Sequence, residues 1–162
     1  EHEIDQIHGC KKREIGQRLA YLALARDYGI EGLGAEAPEF EYMEEADASQ
    51  DDQMVIAGTA VEKNPNATGK VMHLYFTNST DGFDRMAGIE GFEAQDADGQ
   101  WHKAIVWSSS AWKDVKRQGC FLTLACPEAK EIQNVRYCYK NFIIGKLHNS
   151  RGLPVVPFCS EK

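Results

Sequence analysis

The chain has 162 residues, 43% of them hydrophobic and 27% charged, which is one domain's worth of sequence with room for a single sizeable core and excludes a large multidomain enzyme. Its 18 Lys and Arg stand against 25 Asp and Glu, a net charge of −7, so a phosphate backbone meets an unfavourable field and nucleic acid is not expected as a partner. No apolar run approaches the roughly 18 residues that a membrane span requires, so no membrane partner is expected either.

The opening residues, Glu1-His2-Glu3-Ile4-Asp5, carry neither the positive n-region nor the apolar h-region of a signal peptide, and there is no starting Met; the expectation is a processed or truncated piece of something longer. From 11 to 28 apolar residues recur at helical spacing, with Ile15, Leu19, Leu22 and Ala23 on one face and Lys12, Glu14, Arg18 and Arg26 available for solvent. Gly29 offers the left-handed position that stops a helix. Gly16, inside the helix, costs about 1 kcal/mol relative to Ala and points to a close neighbour. Residues 29–38, with Gly29, Gly32, Gly34 and Pro38, read as a surface linker and a change of domain.

Beyond the linker, strand character appears at 40–43, 71–77, 89–94, 101–107, 111–115, 121–126 and 135–139, separated by turn signals at 78–82, 96–99 and 127–129. Several short strands at about ten-residue spacing predict an antiparallel sandwich. The stretch 46–69 is acidic and then polar; only 54–61 is apolar enough for a strand, and a long mobile loop is expected there. The fold class is thus α+β, one N-terminal amphipathic helix followed by an antiparallel β-sandwich-like domain, divided at 1–34 and 35–162.

The most pointed chemical feature is Asp5-Gln6-Ile7-His8. An Asp three residues ahead of a His can fold back to accept the Nδ1 proton, fix the tautomer and leave Nε2 as a general base. The plainer alternative is that Asp5 caps the helix and His8 sits on the surface. His2, in an acidic terminus, is a weaker rival. Five cysteines, Cys10, Cys120, Cys126, Cys138 and Cys159, are an odd number with no C-x-x-C pair, so neither a zinc site nor any other metal or cofactor is expected. The sequons Asn66-Ala67-Thr68 and Asn78-Ser79-Thr80 hint at secretion. Asp96-Ala97-Asp98-Gly99 opens like a calcium loop but lacks the further ligands, so a hairpin turn is expected. Trp101, Trp107 and Trp112 offer either core packing or a platform for sugar rings. His73, His102 and His148 show no local carboxylate pattern and read as structural.

Taken together, the run from His8 to Ala20, with Asp27-Tyr28-Gly29 behind it, resembles the final catalytic block of the sialate O-acetylesterase family of SGNH-type hydrolases, where a catalytic His precedes a helix carrying K-x-x-x-G-x-R-L-A. Val135-Arg136-Tyr137 and the run from Leu147 to Phe158 resemble that family's closing V-R-Y and L-x-N-x-x-G-L-P-x-x-P-F segments, and 69–77 and 89–101 its β-rich region. The resemblance implies a serine esterase that removes O-acetyl groups from sialic acids or from acetylated polysaccharide. His8 would be the general base and Asp5 its orienter, or His8 would act in a Ser-His dyad. Gly9 departs from the family's usual Pro.

None of Ser49, Ser79, Ser108, Ser109, Ser110, Ser150 and Ser160 stands in a G-x-S-x-G or G-x-S-N context. In this class the Ser, Gly and Asn blocks precede the His block. The chain is therefore expected to be the C-terminal portion of the enzyme, its first residues completing an SGNH-type α/β domain. Its partner would be the N-terminal catalytic portion, either as a second chain or outside a cut-down piece, and Cys10 would be a packing thiol or a bridge to it. Secretory localisation, extracellular, lysosomal or periplasmic, follows from the family and the sequons. The rival reading is a non-catalytic carbohydrate-binding β-sandwich module whose Trp side chains grip glycans.

Overall fold

The computed structural model describes residues 11–47, 70–84, 89–113 and 118–161, and the Trp107 side chain is outside that description. One helix, α1 (Lys12–Arg26), leads eight strands: β1 (Glu39–Asp47), β2 (Lys70–Thr77), β3 (Phe92–Gln95), β4 (Trp101–Lys103), β5 (Ile105–Lys113), β6 (Gln118–Ala125), β7 (Asn134–Tyr137) and β8 (Phe158–Cys159). They form two four-stranded sheets, ordered β1-β2-β6-β5 and β4-β3-β7-β8, with every pairing antiparallel.

Alternation decides which side chains meet between the sheets. In β2, Met72, Leu74 and Phe76 face inward, as do Leu122 and Leu124 of β6, and they pack on Phe92, Ala94, Val135 and Tyr137 of the second sheet. Leu147 and Val155 from the C-terminal loop complete the same core. Leu74, Leu122, Leu124, Val135 and Leu147 are all fully buried, so a single core holds both sheets.

Four strand expectations change. The stretch 101–107 is not one strand: it crosses from the second sheet to the first at Ala104, 3% exposed, because a small buried residue lets the chain turn the corner between two packed sheets. Within the expected strand 111–115, residues 111–113 are no separate strand but the end of β5, which runs unbroken through Ser108, Ser109 and Ser110, and 114–115 lie outside the described residues. Strand β3 begins at Phe92 rather than at 89, since Gly91 has φ 100°. Strand β1 extends beyond 40–43 in both directions, with a bulge between Phe40 and Tyr42. Strand β8, two residues long, carries no alternation that could announce it. The expected strand at 54–61 and the long loop around it lie outside the described residues.

Helix α1 occupies the expected place, and Gly29 takes φ 67° just beyond it. Its packing differs from expectation. None of its residues is buried, Ile15 and Leu19 remain 45% and 61% exposed, and Gly16 has open space where a β-carbon would stand. The sandwich therefore leaves Ile15 and Leu19 largely uncovered, while Leu22, Ala23, Leu24 and Ala25 are partly buried.

Candidate functional site

His8, Asp5, His2 and Cys10 lie outside the described residues, so the site is built from what fixes the helix behind them. The linker that follows α1 is tied down from both ends. Arg26 makes two hydrogen bonds to Glu36, Nε to Oε1 at 2.7 Å and Nη2 to Oε2 at 2.8 Å, and this pairing pulls the Glu36 carboxyl below its ordinary range. Asn78 Nδ2 donates to Ala37 O at 3.1 Å, and Val156 N donates to Pro38 O at 3.1 Å.

Between these ends sits Arg151. Its Nε donates to Asp81 Oδ2 at 2.6 Å and its Nη1 to Gly32 O at 3.3 Å. The guanidinium lies so close to Gly34, φ 56°, that a β-carbon there would fall 2.4 Å from Nη1; only glycine supplies both that backbone conformation and that clearance. Arg18 Nη2 donates to Gly152 O at 3.2 Å, which connects α1 itself to the same C-terminal loop. A groove of about 470 Å³ opens beside the linker, with Ile30, Glu31, Asn78, Thr80 and Asp81 on its walls.

The C-terminal motif residues are chiefly builders of the loop that carries Arg151. Asn149, 2% exposed, accepts at Oδ1 from Arg151 N (3.1 Å) and Leu153 N (2.9 Å), and Gly152 takes φ 77° between them. The Tyr137 hydroxyl accepts from Leu147 N at 3.1 Å. Arg136 bonds Glu93 at 2.8 Å and lies 4.1 Å from the Trp101 ring centroid. Burial pushes the Glu93 carboxyl up, but hydrogen bonds from Arg136 and Lys140 override it, leaving the group below its ordinary value.

The remaining candidates are settled individually. Asp96 makes the β3–β4 turn expected of it: Oδ1 accepts from Asp98 N and Gln100 N at 3.0 and 2.8 Å, and Gly99 has φ 81°. No group of carboxylates, histidines and cysteines able to hold a metal occurs among the described residues. Trp101 and Trp112 stand on different sheets, so they do not form one platform. His73 packs on Phe121 with centroids 4.3 Å apart, and His148 Nδ1 is 3.0 Å from Lys146 O; both are structural, as expected.

His102, which reads from the sequence as structural with no local carboxylate pattern, is flanked in the fold by two carboxylates. Its Nε2 lies 2.6 Å from Asp96 Oδ2 and its Nδ1 3.1 Å from Glu128 Oε2. The Asp96 hydrogen bond first, then that from Glu128, raises the imidazole pKa against the pull of desolvation. With a carboxylate on each nitrogen the ring joins the β3–β4 turn to the loop after β6 and has no free lone pair for base catalysis. Asp96 precedes His102 by a hairpin turn that could have been read; Glu128 arrives from another loop without any local signal. The same is true of Asp81, which reaches Arg151 across the fold.

The described cysteines, Cys120, Cys126, Cys138 and Cys159, are all free thiols. No helix among the described residues is long and apolar enough to cross a membrane.

No family model matches the chain, and no curated protein does. Among solved structures, the crystal structure of a carbohydrate acetylesterase from Xanthomonas citri is similar to 99% of this chain, with a TM-score of 0.69 and 22% sequence identity. The chain spans 31% of the length of that protein. At this identity the likeness is one of fold.

Proposed function

We propose that this chain is the C-terminal part of a serine esterase that removes O-acetyl groups from carbohydrate. In this reading residues 1–34 complete an SGNH-type catalytic domain, and residues 35–162 form a sandwich packed beside it. The observation that carries the reading is helix α1, directly behind the His8 block, which leaves Ile15 and Leu19 uncovered by the sandwich and so has a face to offer a catalytic domain. The likeness of fold to a carbohydrate acetylesterase supports it. The substrate would be an O-acetylated sialic acid or an acetylated polysaccharide. The catalytic portion would come from the same polypeptide or from a second chain.

The chemistry follows from the residue types. A serine on the catalytic portion attacks the acetyl carbonyl carbon while His8 Nε2 takes the hydroxyl proton, with Asp5 holding Nδ1. The tetrahedral oxyanion collapses, the bond to the sugar oxygen breaks, and the imidazolium returns its proton to that oxygen. Water then enters by the same route and releases acetate. The reading carries the secretory route with it, and mass analysis of a peptide spanning the exposed Asn78 tests for a glycan there. The rival, a binding module built on tryptophans, loses ground because Trp101 and Trp112 lie on separate sheets.

The test is acetate release from O-acetylated sugars by the complete enzyme and its His8→Ala variant. A loss of about three orders of magnitude or more in kcat is expected; a loss under tenfold removes His8 from the mechanism. A small effect of Asp5→Asn beside a large one at His8 selects the dyad.

A further inference from the structure

Three features stand outside the proposed chemistry: the His102 cluster, the aromatic outer face of the first sheet, and the Arg151 junction. The His102 nitrogens are both occupied by carboxylates. On the outer face the rings are engaged with one another, Tyr42 stacked on Tyr75 at 4.4 Å and Tyr75 tilted against Phe121 at 5.3 Å, and nothing there singles out a ligand. The junction goes further.

We infer that Arg151 is a positioning residue for the esterase site, fixing the linker and through it the helix that carries the His8 block; the inference rests on the function proposed above. Six contacts converge on this point. Arg151 ties Asp81 in the turn after β2 to Gly32 in the linker, and its guanidinium fills the space above Gly34. Ser150 Oγ donates to Asp81 O at 2.6 Å and Ser150 N to Gly82 O at 3.2 Å, so the loop and turn that hold the Arg are themselves fastened. Arg18 on the helix reaches the O of Gly152, the residue directly after Arg151.

The strength and the place of the latch both matter. The Arg151–Asp81 side chains are 42% and 38% exposed, and exposed ion pairs contribute little to global stability. The strands and the core do not depend on it. The helix does in part: none of its residues is fully buried and Leu22 to Ala25 are only partly so, and polar contacts such as these help to set its attitude on the sandwich. Active-site geometry is far more sensitive than stability: a misplacement of about 1 Å can cost on the order of 100-fold in rate.

The test measures kcat and KM for acetate release in the complete enzyme with Arg151→Ala, Arg151→Lys and Gly34→Ala, beside His8→Ala. Arg151→Ala should lower kcat about tenfold or more while KM moves less than about threefold. Arg151→Lys, which keeps the charge but cannot hold Asp81 and Gly32 together, should recover part of the loss. Gly34→Ala should reproduce the Arg151→Ala effect by displacing the guanidinium. Thermal melts should place the two Arg151 variants within a few degrees of the parent, and Gly34→Ala lower because of the strain at φ 56°. If Arg151→Ala melts below the assay temperature, the isosteric Asp81→Asn carries the test on the same criteria. An inactive His8→Ala beside an Arg151→Ala of unchanged kcat overturns the positioning role alone. A fully active His8→Ala overturns the proposed function and the positioning role with it.

Discussion

Ser79 joins the turn after β2 to the neighbouring strand, and removing its hydroxyl is a quantitative test of that junction. The side chain is 1% exposed; Oγ donates to Phe76 O at 2.8 Å and accepts from Cys120 N at 2.9 Å. Ser79→Ala strands one buried donor and one buried acceptor, each costing about 1–3 kcal/mol when unsatisfied, so a destabilisation of about 2–4 kcal/mol is expected. For a chain of this size each kcal/mol moves Tm by about 2–4 °C, a fall of about 5–15 °C. Paired thermal and urea unfolding read it, with Thr80→Ala on the adjacent exposed position as a control expected within about 0.5 kcal/mol. A Ser79→Ala loss below about 0.5 kcal/mol at unchanged urea m-value would refute the reasoning, since Phe76 and Cys120 would then have found other partners. The same hydroxyl makes a second test at Gly119, where a β-carbon would stand 2.7 Å from Ser79 Oγ.

Other perturbations probe other junctions. Gly91→Ala must place a β-carbon 2.9 Å from Cys138 Sγ at φ 100°, so backbone strain and overpacking together should cost about 2–5 kcal/mol; Gly29→Ala, at φ 67° with nothing within 4 Å, should cost only the left-handed penalty of about 1–2 kcal/mol. Equal losses at the two glycines would show that the Cys138 contact yields. His102 has its pKa raised by Asp96 and Glu128, so its contribution to stability is full below the unfolded value near 6.5 and fades as pH rises through the higher folded value. The stability gap between the parent and His102→Gln should therefore be widest near pH 5–6 and narrow toward alkaline pH. A gap independent of pH across that window would mean that the ring is held without its charge.

How much of this was legible depends on whether the information is local. Helix α1 follows from apolar residues at helical spacing and strands β2 and β6 from short apolar, strand-prone runs, because both signals are written in neighbouring side chains. The corner at Ala104 was not, since Trp101 to Trp107 reads as continuous strand and only the second sheet's position decides where it breaks. The serines at 108–110 looked like a gap, yet they are strand because β6 pairs with them; pairing overrides propensity. Glu128 beside His102 and Asp81 beside Arg151 are products of topology. The apolar residues of α1 were legible, but not that Ile15 and Leu19 would be left uncovered by the sandwich.

Strand β1 has a further consequence. It lies at the margin of the first sheet, where unpaired backbone groups invite another chain to add a strand. Its nine residues include Glu39, Glu41, Glu44, Glu45 and Asp47, with Lys70 bridging the last two at 3.2 and 2.8 Å. Two such margins brought side by side would set acidic residues against acidic residues, a charge pattern that disfavours edge-to-edge pairing. Replacing those acids with neutral residues would remove the repulsion while leaving the core residues unchanged.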